Sequence, residues 1–253
     1  MSTPTLIVTR PRQQCAAWLA RLQALGTPAV ALPLIEILPA VDAAPVQAAW
    51  AALGAVDLAV FVSPNAVEQF FAHADAHAAV QAWPARTLAA CVGPGSAQAL
   101  AARGVPAGQI VQPSADAASL DSEHLWAELS PRRDWAGARV MLLRGDGGRE
   151  WLAERLAEAG AQVEAVTVYH RSGPRFTAGE QQLLAQVLAA PGGYAWLFSS
   201  AEAVGHLADR GMSGHRAIAT HPRIADAVRA AGFSPVVLAR PAPEAVTQAL
   251  RAL

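Results

Sequence analysis

Residues 6–26, LIVTRPRQQCAAWLARLQALG, return as residues 140–160, VMLLRGDGGREWLAERLAEAG. Each stretch opens on a short apolar run and breaks at an arginine, Arg10 or Arg144. It then continues as Leu and Ala at helical spacing, closing on a glycine, Gly26 or Gly160. A short apolar run followed by a 3.6-residue period encodes a strand leading into a helix. Two further pairs align in the same way, FVSPNAV (61–67) with FSSAEAV (198–204), and VGPGSAQALAARGV (92–105) with ATHPRIADAVRAAGF (219–233). Self-similarity in this order predicts two homologous halves, and half-repeats predict two domains facing each other across a ligand-binding cleft.

The same rhythm runs along the whole chain. Apolar runs stand at TLIVT (5–9), AVALPLIEI (29–37), DLAVFV (57–62), TLAACV (87–92) and QIVQ (109–112). They continue at RVMLL (139–143), VEAVTVY (163–169), AWLF (195–198), RAIA (216–219) and PVVLA (235–239). Uninterrupted apolar strands need helices on both faces, so the pattern predicts an α/β protein with two five-stranded, doubly wound parallel sheets. PAVDAAP (39–45) and SGPRFTAG (172–179) carry the proline and glycine of linkers.

Composition narrows the function classes. With 53% hydrophobic and 15% charged residues, the 253-residue chain has enough apolar material for two ordinary domains, which argues against disorder. Lys+Arg 19 against Asp+Glu 20 gives a net charge of −1. No global positive field exists to hold nucleic acid or an anionic membrane, so any anionic ligand is gripped locally. Cys15 and Cys91 form no CxxC pair, and a reducing compartment fits them best. The start MSTPTLIVTRPRQQ lacks a basic leader region, and LPLIEILPAV (32–41) is interrupted well before the ~20 apolar residues of a spanning helix. The expectation is a cytoplasmic protein, monomeric because no heptad stands out.

In a parallel sheet, ligands bind where strand carboxyl ends lead into helix N-termini. Ser63-Pro64-Asn65 follows DLAVFV, and Gly93-Pro94-Gly95-Ser96 follows TLAACV; Ser199-Ser200 and His221-Pro222-Arg223 repeat the arrangement after AWLF and RAIA. Each such turn leaves backbone N–H groups for a carboxylate, although plain helix capping is the alternative role of each. Arg10 and Arg144 end the first strand of each half, and Arg149 opens the next helix, where a guanidinium can fork onto a carboxylate or merely form an ion pair. Strand alternation in VTVYHR puts Tyr169 and Arg171 on one face and His170 on the other. GPGS lacks the GxGxxG spacing, RGDGGRE is no phosphate loop, and no GxSxG is present. His73 and His77 sit four apart without a third ligand, which reads as a helix face rather than a metal site.

The order VTRP (8–11), LPLIEI (32–37), FVSPNAV (61–67), CVGPGSAQAL (91–100), LLRGDGGREWLAERLAEAGAQVEAVTVYHR (142–171) and FSSAEAV (198–204) resembles the uroporphyrinogen-III synthase family over nearly the whole chain. The resemblance implies two flavodoxin-like, doubly wound domains joined by two connector strands with the active cleft between them. A discontinuous domain is implied for 1–38 plus 172–253, and an inserted one for 39–171. The family's tyrosine maps onto Tyr169, the implied catalytic residue, thought to assist departure of the substrate hydroxyl. The substrate-binding set is Arg10, Ser63, Asn65, Gly93, Ser96, Arg144, Arg149, Arg171, Ser199 and Ser200. Where the family often carries Gly-Pro-x-Thr, this chain has His221-Pro222-Arg223-Ile224, so Thr220 or Arg223 stands in for the hydroxyl.

The implied substrate, hydroxymethylbilane, is a linear tetrapyrrole with eight carboxylates. The implied reaction loses its terminal hydroxyl, forms a spiro intermediate and closes the macrocycle with ring D inverted, with interdomain closure enforcing that geometry. No cofactor or metal is implied, and hydroxymethylbilane synthase is the expected donor of the substrate in a transient handover. A phenol is protonated at neutral pH and suits the role of proton donor. The competing readings are a non-catalytic two-domain binder of small anions and a transferase with a nucleotide-linked donor.

Overall fold

Eleven short strands and ten helices alternate in the computed structural model, which describes residues 3–76, 82–114 and 116–253. In chain order they are β1 (Thr5–Val8), α1 (Arg12–Ala24), β2 (Ala29–Ala31), β3 (Glu36–Pro39), α2 (Ala44–Ala52), β4 (Leu58–Phe61) and α3 (Pro64–Ala76). There follow β5 (Leu88–Cys91), α4 (Pro94–Ala102), β6 (Ile110–Val111), α5 (Ser122–Leu129), β7 (Arg139–Gly145), α6 (Trp151–Glu158) and β8 (Gln162–Ser172). The chain ends through α7 (Ala178–Ala189), β9 (Tyr194–Phe198), α8 (Ala201–Gly205), β10 (Arg216–Ala219), α9 (Pro222–Ala230), β11 (Val236–Leu238) and α10 (Pro243–Leu250). None of the helices among the described residues is long and apolar enough to cross a membrane.

The strands form a five-stranded sheet, β11-β10-β9-β1-β2, and a six-stranded one, β3-β8-β7-β4-β5-β6. The count corrects the expected five and five. AVALPLIEI is two strands rather than one, because Pro33 has no N–H to donate. Leu32 and Leu34 still donate to the carbonyls of Val8 and Thr9, after which the chain leaves the first sheet and β3 runs beside β8 at the edge of the second. Two compact units result, one holding the chain up to Ile37 together with Ser172–Leu253, the other Leu38–Arg171.

Both faces of each sheet are covered. In the first unit Leu6, Val8, Ala195 and Leu197 pack with Cys15 and Leu22 of α1 and Val246 and Leu250 of α10. The alternate residues of β9, Trp196 and Phe198, meet Phe233 edge-on from the other side. In the second unit Leu58, Val60, Val140 and Leu142 pack with Leu125 and Leu129 of α5 and Leu152 and Leu156 of α6. Phe61 points the other way onto Phe70, which stacks on Trp50 at 4.3 Å. Each such fully buried side chain contributes roughly 1.5–3 kcal/mol, so the central strands are fixed in register by what they bury.

The sequence repeat survives in space, but not as two halves. Leu142 lies between Val60 and Ala165 as Val8 lies between Leu197 and Ala31. Phe61 faces Cys91 as Phe198 faces Ala219. The sheet order β2-β1-β9-β10-β11 therefore matches β8-β7-β4-β5-β6 strand for strand. The first unit joins β1-α1-β2 of one repeat to β9, β10 and β11 of the other, and the second joins β7-α6-β8 to β4, β5 and β6, with β3 added at its edge.

Within the first unit, Arg12 at the start of α1 donates to Glu180 at 2.7 Å and 3.2 Å and to Glu36 at 3.2 Å. Glu180 is also the reciprocal partner of Thr177 in the capping box of α7. The Arg12 guanidinium, helped by the Thr177 bonds, holds the Glu180 carboxyl down at about 2. A depressed carboxyl stabilises the fold above its unfolded pKa of 4.5 and loses that contribution as the pH falls towards 2. Glu180→Gln keeps a capping partner but not the charge, so it should cost about 1 kcal/mol at pH 7. Urea midpoints of parent and variant should converge as the pH is lowered from 4.5 towards 2.

Candidate functional site

Three strand ends meet around Tyr169. β4 stops at Phe61, where the N–H of Val62 still bonds to the Leu143 carbonyl of β7, and Ser63 then starts α3. Pro64 occupies the first helical position, where a missing N–H costs nothing. The Ser63 hydroxyl accepts the Ala66 N–H at 3.2 Å. Its oxygen also lies 3.1 Å from the Tyr169 hydroxyl, across 106 residues of chain.

β7 and β8 run in register to Arg144 and Thr167, then slip so that Gly145 faces Tyr169. That irregularity turns the Tyr169 ring onto the backbone of Gly145. A Cβ on residue 145 would stand 2.7 Å from Cε2 and 2.8 Å from Cζ of the ring, closer than any side chain tolerates. Glycine is required there by contact rather than by dihedral angle. Beyond it Asp146 braces the strand pair: its N–H donates to the Tyr169 carbonyl, and its carboxylate accepts the Arg171 N–H. The Arg171 guanidinium donates to the Asp146 carbonyl at 3.3 Å. Tyr169 is only 4% exposed, so its phenol is a buried, placed group and not a surface one.

The other expected residues divide by their surroundings. In the second unit Gly93 starts α4, and Gly95 lies against Pro64, so the α3 and α4 N-termini stand side by side with Asn65 partly exposed on α3. Ser96 is only 2% exposed, because it falls on the inward side of the first turn of α4. Its hydroxyl does not face outward as expected. Arg144 pairs with Glu150, and Arg149 forks onto Glu123 at 2.6 Å and 3.2 Å. Those two arginines hold carboxylates of their own chain.

In the first unit Arg10 differs. It is folded back on α1, donating to the neutral Gln14 at 2.8 Å and lying 4.3 Å over the Trp18 ring. No carboxylate pairs with it among the described residues, and burial lowers its pKa to about 10. Ser200 precedes the five-residue α8 without a side-chain cap bond, with Ser199 partly exposed beside it. Thr220 bonds through its N–H to Phe198, whereas His221 caps α9 by accepting the N–H of the exposed Arg223. The His221-Pro222-Arg223 turn thus repeats the helix start of Ser63-Pro64 with an imidazole nitrogen in place of the hydroxyl. Gly145 and Asp146 were also missed as residues in their own right; the close pairing of an RG turn with a later Tyr-x-Arg was the only trace of them in sequence.

Burial pushes the thiols of Cys15 and Cys91 up to about 11, which leaves little thiolate at neutral pH. Among the described residues no three His, Cys, Asp or Glu side chains are grouped to hold a metal, and His77 of the His73/His77 pair lies outside those residues.

The family model described as uroporphyrinogen-III synthase HemD matches residues 16–248. Among curated relatives, the uroporphyrinogen-III synthase of Escherichia coli K12 is 31% identical over 179 residues, 71% of this chain and 70% of that one. That of Salmonella typhimurium is 32% identical over 181 residues, with the same coverage of 71% and 70%. The chain belongs to the uroporphyrinogen-III synthase family. The fold likeness to solved members spans the whole chain. A mutant uroporphyrinogen III synthase of Thermus thermophilus gives a TM-score of 0.59 at 18% identity, covering 98% of both chains. The uroporphyrinogen-III synthetase of Helicobacter pylori 26695 gives 0.59 at 17% identity, covering 99% of this chain and 100% of that one. At those identities the likeness concerns the fold.

For this family member, the Gly145 contact yields a test. Gly145→Ala should push the Tyr169 ring off its seat, lowering stability by about 1–3 kcal/mol. Turnover in the folded variant should fall about ten- to a hundredfold, because a small misplacement of a reacting group is that costly. Parental kcat in the purified variant would show that the ring position does not matter to activity.

Proposed function

We propose that this chain is a uroporphyrinogen-III synthase that cyclises hydroxymethylbilane with inversion of ring D. The observation that carries the reading is the Tyr169 hydroxyl, held over Gly145 and beside Ser63 at the carboxyl ends of β4, β7 and β8, in a chain of that family.

The chemistry asks for little more than a placed acid. Tyr169 gives its proton to the terminal hydroxyl of the substrate, which departs as water and leaves an electrophilic azafulvene. Ring D, an intrinsically nucleophilic pyrrole, attacks through its substituted carbon to form the spiro intermediate. Fragmentation and reclosure then invert that ring, and the proton released on closure replaces the one consumed. Positioning and one proton donor supply the catalysis, so no cofactor is called for.

Eight carboxylates must be held while this happens. Arg10 is the cation best prepared for one, being desolvated and without an acid partner among the described residues. Arg144, Arg149 and Arg171 offer further guanidinium groups, the first two on exchange for Glu150 and Glu123. Amide-lined turns at Ser63, Gly93 and Ser200 add neutral donors. The net charge of −1 is no obstacle, because recognition of this kind is local. Two buried free cysteines support a reducing, cytoplasmic setting, where hydroxymethylbilane synthase would hand over the substrate.

Added to freshly made hydroxymethylbilane, the protein should yield the inverted isomer III, read by chromatography of the oxidised porphyrins. Formation of the uninverted isomer alone would overturn the assignment. Tyr169→Phe should lower kcat about a hundredfold with the fold intact by circular dichroism; undiminished turnover would remove the donor role from Tyr169.

A further inference from the structure

Ser63 has two partners, and together they give its hydroxyl a direction. Its oxygen accepts the Ala66 N–H of the first turn of α3, and it shares the remaining hydrogen bond with Tyr169 at 3.1 Å. A phenol that passes its proton to a substrate cannot also donate it to serine. In the working state the hydrogen bond must therefore run from Ser63 to Tyr169. The result is a one-way chain in which the Ala66 amide donates to Ser63 Oγ, Ser63 donates to Tyr169 Oη, and Tyr169 donates outward. Successive donors in such a chain polarise one another.

We propose that Ser63 is a positioning residue for the Tyr169 phenol: its hydroxyl aims the phenolic proton outward and relays the N-terminal amide of α3 to the charge that develops as the proton leaves. The inference rests on the functional reading above and goes beyond it by giving Ser63 a role through Tyr169 rather than through the substrate. α3 runs from Pro64 to Ala76, long enough for its aligned peptides to favour negative charge at its start. The charge in question forms one serine away from that N-terminus. Ser63 supplies a donor already in place when the phenolate forms, the arrangement that lowers a barrier without reorganisation.

The internal repeat provides a control within the molecule. Ser200 is the counterpart of Ser63, and it starts α8 with no side-chain cap bond. Continuing the alignment of β1 with β7 and β2 with β8, Pro11 stands where the second unit has Gly145, and Ile35 where it has Tyr169. At those positions the first unit has neither a phenol nor a glycine seat, and its serine makes no cap. A serine at this turn is thus tolerated by the architecture without the bonds that Ser63 makes, which ties those bonds to the phenol rather than to the fold.

A kinetic double-mutant cycle on the full chain tests this. Ser63→Ala should lower kcat about ten- to a hundredfold, the worth of one hydrogen bond to a developing charge, with KM changed by less than about twofold. Ser63→Gly should behave alike while weakening the cap of α3 less than alanine does, which covers the case of an unstable alanine variant. Ser63→Thr, which keeps the hydroxyl and the cap, should recover most of the loss. In the Tyr169→Phe background, Ser63→Ala should have no further effect. Losses that multiply, a rise in KM with kcat intact, or a threonine variant as poor as alanine would each overturn the relay. If the parent makes no isomer III the functional reading itself fails, whereas an active parent with multiplying losses removes only this inference.

Discussion

The seat of the Tyr169 ring against the bare backbone of Gly145 is the contact on which the candidate site depends. A ring can approach a strand at 2.7 Å from where a Cβ would stand only if no Cβ is there. The slip of register after Arg144 brings Gly145 opposite Tyr169, and Asp146 then locks the two strands by bonding to the Tyr169 carbonyl and the Arg171 N–H. With the ring fixed on one side, its hydroxyl meets Ser63 on the other. The positions of three strand ends are in this way coupled through a single side chain.

The topology explains why that side chain sits where it does. In the second unit the chain lays β5 and β6 on one side of β4, then crosses back to lay β7 and β8 on the other. The loops after β4 and β7 diverge at that reversal, and an open α/β sheet binds ligands at such a switch point. Ser63 follows β4, and Gly145 ends β7. The first unit reverses between β9 and β1, and there Ser199, Ser200 and Arg10 stand. The two units share this geometry because their strand orders match, even though each is assembled from parts of both repeats. Only the second carries the phenol and its glycine at these positions.

Charge is distributed with a similar asymmetry. Arg144 and Arg149 are satisfied by Glu150 and Glu123, and the exposed Arg149 pair contributes little to stability. Arg10 is drawn out of water onto Trp18 with a neutral hydrogen-bond partner. A desolvated guanidinium without a carboxylate is an unfavourable state for the fold alone.

Apolar periodicity was enough to establish the alternation of strands and helices, the parallel sheets covered on both faces, and the repeat, because each of these is a local property of the chain. Local signatures also marked the Ser63 turn as a helix start and put Tyr169 and Arg171 on one strand face, whereas the catalytic role of Tyr169 was implied only by the family resemblance. Folding in three dimensions was needed to show that Pro33 splits one apolar run between two sheets, and that Ser96 is buried while a ring nitrogen of His221 caps α9. The same step brought Ser63 to Tyr169 and gave Gly145 its purpose. Contacts across a hundred residues depend on which strands become neighbours, and apolar runs of similar length and composition carry no label that says which neighbour each will take.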